Sequence, residues 1–387
     1  MTEAAERAAV VAEFTALKHD LAASLTGMPV VADIVARALS AGPNFDVVTL
    51  SRRQPEHEWT VGQYIARLVS AERIDRGRVL LAEHSDLLGQ LAARFGAPPE
   101  TLVAIWGIES RYGEACGTAS VVRSLATLAI ADDRRGAFWR GELAALCTLM
   151  RDGRLESADL SGSWAGALGQ TQFMPSTLAA HGVDFDRDGL CDVLRSPADA
   201  LASAANYLKA SGWPAQKPWG INVAITPDFS WDAWSPDEQK PLSAWLIAGL
   251  DVTDPASPLG DDTPLRLIAP EGAEAPLFLV SGAFNALLAY NPAVSYALAV
   301  GLLGDAIVGR PGPAQTWRQA SAVLGRSDRV TLQKAMSARG HDTGGIDGIF
   351  GPKSRSAIRA CQQSAGLPAD GFPTQALLQH LTQGSRI

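Results

Sequence analysis

The sequence predicts a mainly helical protein with a minor β component, an α+β chain whose large N-terminal region is followed by a small three-helix module. Three observations carry this. Apolar residues recur at helical spacing through most of the N-terminal half. From about residue 214 to 283 the composition turns rich in Pro, Asp and Trp, and the apolar runs shorten to strand length. After residue 325, short apolar stretches alternate with Gly and Pro at the spacing of helices and turns.

Residues 1–97 read as several amphipathic helices with a looser segment around 42–59. Pro98 and Pro99 then open a helix, because proline suits a first helical turn, and Gly113 is placed to end it. A second helix is expected over 134–150, a Gly/Ser-rich loop over 161–172, and a helix over 198–209 ending near Gly212. The insertion at about 214–283 carries strands at 265–268 and 277–280, and helices resume at 284–289 and from Ser295. Residues 309–325 open with Gly309, Arg310, Pro311, Gly312 and Pro313, which disfavour helix and strand and read as a linker. The module at 326–387 is expected to hold helices at 330–337, 352–365 and 373–381, each too short to be stable unless packed on the others. The expected domains are therefore 1–308, a linker at 309–325, and 326–387.

The 387 residues suffice for two or three domains, and 47% hydrophobic residues against 19% charged ones provide for a sizeable core. The net charge is −8 without a Lys/Arg cluster, which argues against nucleic acid as a partner. The four cysteines, Cys116, Cys147, Cys191 and Cys361, lack zinc-ligand spacing. They read mainly as small buried hydrophobes, with a Cys116–Cys147 bridge as the alternative. The ten tryptophans suit either sugar stacking or core filling. The N-terminus lacks the apolar core of a signal peptide, and residues 296–308 are too short for a membrane span and contain Asp305. The chain as given reads as a soluble monomer.

Glu109 follows Leu102, Ile105 and Trp106 at helical i, i+3, i+4, i+7 spacing. A carboxyl group on such an apolar stripe is partly desolvated, which favours its neutral form and suits a general acid. The competing reading is a buried glutamate paired with Arg111 or Arg123.

The segment around it, Gly107-Ile108-Glu109-Ser110-Arg111-Tyr112-Gly113, resembles the catalytic-glutamate segment of lytic murein transglycosylases of the membrane-bound B type, glycoside hydrolase family 103. So do residues 163–176 (SWAGALGQTQFMPS), Ala205-Asn206-Tyr207-Leu208 with Gly212-Trp213, and residues 290–300 (YNPAVSYALAV), in the family's order. The resemblance implies a lysozyme-like catalytic region in which Glu109 is the single acid/base. It implies that Ser163 and Gln172 lie beside it, that Arg134 and Arg135 of the Asp133-Arg134-Arg135 segment face the substrate, and that Tyr207, Tyr290, Asn291 and Tyr296 line the cleft. Ordinary packing is the competing role for each of these.

Most glycosidases flank the bond with two carboxylates. No second acid stands in the matching segments, and Glu114, past Gly113, is expected to point elsewhere. One carboxylate working with the substrate's N-acetyl group and C6 hydroxyl leads, as the resemblance implies, to cleavage of the MurNAc-GlcNAc β-1,4 bond with formation of 1,6-anhydro-MurNAc. The alternatives are a hydrolytic muramidase, a non-catalytic wall-binding protein and, more remotely, a calcium-regulated sensor. Peptidoglycan glycan strands are the implied partner, and the periplasm or cell envelope is the implied location.

Asp184, Asp186, Asp188, Leu190 and Asp192 match the first ligand positions of an EF-hand loop, with Gly189 at the turn. Position twelve of that pattern should be an acid, but Arg195 occupies it. Structural calcium and a plain polar turn are both open here, and no cofactor is expected for the chemistry. The C-terminal residues Leu332-Gln333, Gly340, Gly345-Ile346-Asp347-Gly348, Phe350-Gly351-Pro352, Ile358, Gln362, Gly366-Leu367 and Asp370-Gly371 resemble the peptidoglycan-binding type 1 module. Cys361 stands where that family usually has an aromatic.

Overall fold

The computed structural model describes residues 2–52, 59–155, 160–253, 262–319 and 323–383. The N-terminal helices are α1 (Glu3–Ser24), α2 (Pro29–Ala38), α3 (Phe45–Arg52), α4 (Val61–Leu68), α5 (Ala71–Glu83) and α6 (Ser85–Phe95). The segment expected to be looser thus contains α3, and residues 53–58 of that expectation lie outside the described residues. α7 (Pro99–Ser110), β1 (Ala119–Ser120), α8 (Val121–Ala131), α9 (Gly136–Arg151), β2 (Ser161–Gly162), α10 (Pro175–His181) and α11 (Pro197–Ala210) follow. The sequence pattern passes over α8 because this helix is buried on nearly every side, from Val121 and Val122 to Leu128 and Ala129, and so has no polar stripe to mark it.

The chain forms two compact units, one of residues 1–57 and 75–210 and the other of 58–74 and 211–387.

The second unit contains β3 (Gly220–Ile225), β4 (Gln239–Lys240), α12 (Leu242–Ile247), β5 (Leu250–Val252), β6 (Leu265–Ile268) and β7 (Leu277–Val280). They form a five-stranded antiparallel sheet ordered β4-β6-β7-β3-β5. β6 alternates buried and half-buried residues, as expected of a strand with one covered face. Trp231, Trp234 and Trp245 fill the core beside Val223, Leu265, Leu267, Leu277 and Leu279, and Trp245 Nε1 donates to Leu265 O at 2.9 Å. Of the ten tryptophans, seven are buried and Trp59, Trp164 and Trp317 are half-buried, so core filling accounts for most of them. α13 (Gly282–Tyr290) buries Ala283, Phe284, Ala286 and Leu287, and α14 (Val294–Ile307) is largely buried. Among the described residues, no single helix is long and apolar enough to cross a membrane.

The module consists of α15 (Arg326–Ser337), α16 (Pro352–Ser364) and α17 (Gln375–Gln383) around Leu332, Met336, Ile358, Cys361, Leu377 and Leu381. It is packed onto the sheet. Ala369 enters the sheet's apolar core, Ala273 N donates to Asp370 Oδ2 at 2.7 Å, and Arg359 lies over the Trp234 ring while donating to Trp234 O. The described part of the expected linker is also held. Trp317 stacks on Phe278 with ring centroids 6.1 Å apart, and Arg318 donates from its backbone N–H to the Glu271 carboxylate at 3.0 Å and from Nε to Glu271 O at 2.7 Å. Residues 320–322 of that expectation lie outside the described residues.

All four cysteines are free, so the alternative Cys116–Cys147 bridge is not formed. Cys116 Sγ instead donates to Gly113 O at 3.4 Å, and Cys147 is a half-buried thiol of α9 whose pKa burial pushes up.

Candidate active site

Glu109 stands in the last turn of α7. The helix starts as expected, with Pro98 as N-cap and Pro99 at its first position. Its middle, Leu102 to Ile105, is fully enclosed rather than apolar along one stripe, and only near its end do Ile108 and Glu109 become half-buried. The carboxyl group is therefore at the edge of the core and within reach of solvent. Arg123 donates to the carbonyls of Ala41, Gly42 and Pro43, and Arg111 is exposed.

α7 ends at Ser110 with Arg111 as its C-cap, short of the expected Gly113. Arg111, Tyr112 and Gly113 take φ values of 52°, 63° and 91° in succession. Two consecutive non-glycine residues in the left-handed region are costly, and local contacts must offset the strain. Tyr112 N donates to Trp106 O at 3.1 Å, and its ring packs edge-on against Trp106 at 5.8 Å. Ser110 Oγ donates to Gln170 O at 2.6 Å and accepts Gly113 N at 2.9 Å. Gly107 makes room for this turn, since a Cβ there would lie 2.6 Å from Tyr112 Cζ.

The Gly/Ser-rich loop meets the residues after Glu109. β1 and β2 pair antiparallel, Ala119 with Gly162 and Ser120 with Ser161, and bridges from Gly162 to Leu168 and from Leu168 to Phe173 fold the loop back. Ser163 Oγ accepts Ala167 N at 2.9 Å, which fixes the turn and leaves the hydroxyl proton able to donate. Gln172, with φ 50°, donates Nε2 to Gly169 O at 2.7 Å and to Cys116 O at 3.1 Å. Ser163 and Gln172 thus belong to the loop that closes on residues 110–117. Sequence reasoning missed Gln170, whose buried side chain lies so near Gly113 that a Cβ there would be 2.8 Å from Gln170 Oε1. Only its place in the same segment marks it.

Tyr207 on α11 is half-buried and meets Phe173 edge-on at 5.9 Å and His181 at 4.9 Å, so it joins the same loop. Arg134 and Arg135 are exposed on the turn before α9. Asp132, a residue the sequence reading did not single out, builds that turn by accepting Arg134 N and Arg135 N at 3.2 Å, Trp139 Nε1 at 3.1 Å and Ser51 Oγ at 3.1 Å. Burial pushes the Asp132 carboxyl up, but these four donors outweigh it and hold its pKa below the ordinary value. Arg134 and Asp132 help line a cavity of about 230 Å³.

The remaining expected cleft residues belong to the second unit. Tyr290 and Tyr296 stack at 6.2 Å with planes 11° apart. Tyr296 is only 2% exposed, so its evident contribution is to back the half-buried Tyr290. Asn291 ends α13 and accepts Ala293 N at 3.1 Å.

The other buried acids of the first unit are engaged. Glu142 accepts both the N–H and the hydroxyl of Ser176, at 2.9 and 2.7 Å. Asp199 accepts Phe185 N and Asp192 N, each at 2.8 Å. Burial pushes the Asp199 pKa up against the effect of those two N–H groups, and Asp186 and Asp184 add to the rise.

In the acidic loop, carboxylate oxygens of Asp184, Asp186 and Asp188 all lie within 4.8 Å of one another. Arg187 N and Gly189 N donate to Asp184, and Leu190 N donates to Asp188. Asp192 instead accepts Leu194 N and Arg195 N at 3.1 and 3.0 Å. Asp199 is not one of the three converging carboxylates; its two oxygens hold the ends of the loop.

The transglycosylase SLT domain family matches residues 14–305, and the putative peptidoglycan binding domain family matches residues 325–381. The chain is similar to SltB3 from Pseudomonas aeruginosa, solved in complex with NAG-anhNAM-pentapeptide, with 42% identity over 95% of this chain and 99% of that one and a TM-score of 0.86. It is 32% identical over 254 residues to membrane-bound lytic murein transglycosylase B of Escherichia coli (strain K12), covering 65% of this chain and 68% of that one. The Escherichia coli lytic transglycosylase Slt35, solved in complex with calcium, shares 25% identity over 73% of this chain and 94% of its own, with a TM-score of 0.58.

Proposed function

The chain belongs to the transglycosylase SLT domain family, and on that premise we propose how this lytic transglycosylase cleaves peptidoglycan: Glu109 acts as its single acid and base. The carrying observation is the placement of Glu109, half-buried at the end of an otherwise enclosed helix and followed by a left-handed turn fastened to the loop of Ser163 and Gln172. The C-terminal end of a helix carries the negative end of its dipole, which disfavours a charged carboxylate and favours the neutral acid.

The protonated Glu109 donates to the glycosidic oxygen as the bond to C1 of N-acetylmuramic acid breaks. The sugar's own N-acetyl oxygen stabilises the developing positive charge at C1. The Glu109 carboxylate then takes the proton of the C6 hydroxyl as that oxygen bonds to C1, closing the 1,6-anhydro ring and restoring the acid. No water is consumed. Ser163 can donate to the N-acetyl group, Tyr207 and Tyr290 offer flat faces to sugars, and Arg134 and Arg135 offer cations to the substrate's peptide. The complex of SltB3 with NAG-anhNAM-pentapeptide, an anhydro sugar, supports this chemistry here.

Glu109→Gln should lower release of anhydro muropeptides from sacculi by about 10³-fold while leaving sacculus binding intact, since positioned general acids contribute on the order of 10²–10⁴. Products read by mass spectrometry as reducing-end muropeptides without anhydro forms would overturn the mechanism.

The substrate places the protein in the cell envelope, and we assign it to the periplasm as a monomer with residues 326–387 as its wall-binding domain. Recovery in the cytoplasmic fraction, or sedimentation as a dimer, would contradict this. Asp184, Asp186 and Asp188, with the Leu190 carbonyl, fit a calcium ion in their oxygen chemistry. Asp192 would contribute through whatever carboxylate capacity its two N–H donors leave. Calcium there would brace the loop.

A further inference from the structure

The C-terminal module contains one hydrogen-bonding device twice. In the first turn, Gln333 Nε2 donates to Asp347 Oδ1 at 3.3 Å and to Ile349 O at 3.0 Å, Gln333 Oε1 accepts Gly348 N at 2.7 Å, and Asp347 Oδ1 accepts Ile349 N at 2.8 Å. In the second, Gln362 Nε2 donates to Asp370 Oδ1 at 2.7 Å and to Phe372 O at 3.1 Å, Gln362 Oε1 accepts Gly371 N at 2.8 Å, and Asp370 Oδ1 accepts Phe372 N at 2.8 Å. Gly348 and Gly371 have φ values of 79° and 75°. A Cβ on either would meet an arginine carbonyl of the preceding helix, tightly at Arg326 O (3.3 Å) and in ordinary contact at Arg355 O (3.5 Å). The two turns are copies of one structure.

They differ in what lies outside them. The second turn is occupied from within the molecule. Asp370 Oδ2 accepts Ala273 N at 2.7 Å. Gly272 is pressed so close that a Cβ there would be 2.7 Å from the same oxygen and 2.8 Å from Phe372 Cβ, and the Arg318 guanidinium stands 5.2 Å over the Phe372 ring. This turn therefore holds a short run of small residues by a backbone N–H and an absent or minimal side chain, with a cation at its apolar residue. The first turn is at the surface. Ile346 and Ile349 are 47% and 69% exposed. Asp347 is exposed, and among the described residues its second oxygen has no partner from outside the turn. The hydrogen bonds from Ile349 N and Gln333 hold its pKa below the ordinary carboxylate value, so it is ionised at neutral pH.

We infer that the Asp347–Ile349 turn binds the peptide stem of peptidoglycan, as its copy at Asp370–Phe372 binds Gly272 and Ala273. This rests on the wall-degrading function above. A stem rich in alanine presents what the occupied copy receives: backbone N–H groups beside small side chains. Asp347 Oδ2 accepts a stem N–H, and Ile346 and Ile349 cover its methyl groups.

The test uses the full chain with Glu109→Gln and two soluble probes, a NAG-NAM disaccharide carrying the pentapeptide and the same disaccharide without peptide, titrated calorimetrically. Asp347→Asn keeps an acceptor for the turn but places a donor at the outer position. Ile346→Ser with Ile349→Ser alters only exposed side chains, so it tests the surface even if the first variant perturbs the turn. Each is expected to weaken binding of the peptide-bearing probe roughly tenfold and to leave binding of the peptide-free one unchanged. Equal weakening for both probes, or no weakening by the folded double variant, overturns the inference. Anhydro-product release by the wild-type chain is measured alongside; its absence would refute the enzymatic reading without altering the binding result.

Discussion

Asp132 is the side chain whose removal separates positioning from chemistry. Its carboxylate gathers four donors and shapes the turn that carries Arg134 and Arg135. Because its folded pKa lies below the ordinary value, it contributes stability above the ordinary carboxylate pKa and loses that contribution as pH falls through the depressed folded value. Asp132→Asn is expected to cost about 1.5–3 kcal/mol at neutral pH, the range for hydrogen bonds to a charged group. The gap between wild type and variant in urea unfolding should narrow as the pH is lowered through the acid range. A gap that stays constant down to acid pH would show that the charge is not what the turn uses. Glu109 is placed differently from this residue: it was legible as an acid among apolar neighbours, but the left-handed run at Arg111 and Tyr112 was not, because nothing in those residue types demands positive φ. Packing against Trp106 and the fit at Gly107 impose it.

The acidic loop and the Gly/Ser-rich loop show how far motif reading reaches into an element. Asp184, Asp186 and Asp188 do converge, as their spacing required. The buried Asp199 that ties Phe185 to Asp192 lies outside the motif and was not anticipated. Calcium bound there, as proposed, would stabilise only the folded loop, so excess chelator should lower the thermal midpoint, and added calcium restore it, by the increment mass action sets. With free ion at about 100 times its dissociation constant the gain is about 2.7 kcal/mol. An unchanged midpoint in scans with and without chelator would remove calcium from the account. Strands β6 and β7 were read at their observed limits because short apolar runs between turn residues mark strands strongly. β4 and β5, two and three residues long, carry too little pattern to find and exist through pairing with β6 and β3.

In the molecule as a whole, the C-terminal module is fastened to the sheet rather than hung from a tether, and the second compact unit includes both. Arg359 contributes to this by stacking over Trp234 and donating to its carbonyl. Arg359→Ala is expected to destabilise the docked arrangement by about 1–2 kcal/mol, seen as faster amide exchange around residues 231–234 and 369–372. Exchange unchanged there, with faster exchange confined to α16, would indicate that Arg359 serves only its own helix. A fastened module presents its outer turn in a fixed orientation, whereas a free one would act only by raising local concentration.

Several helix positions, strands β6 and β7 and the C-terminal module could be read from the chain, because each is written in local spacing: apolar period, Gly and Pro punctuation, and short ordered motifs. Other features came only with the packed structure. These are the joining of the Ser163–Gln172 loop to the end of α7, the burial of Tyr296 behind Tyr290, the occupation of residues 309–319 by contacts, and the difference between two similarly hydrogen-bonded turns of which one is filled. Each depends on which residues distant in sequence become neighbours, and a hydrogen bond or a steric fit between such residues leaves no periodic trace in either segment alone.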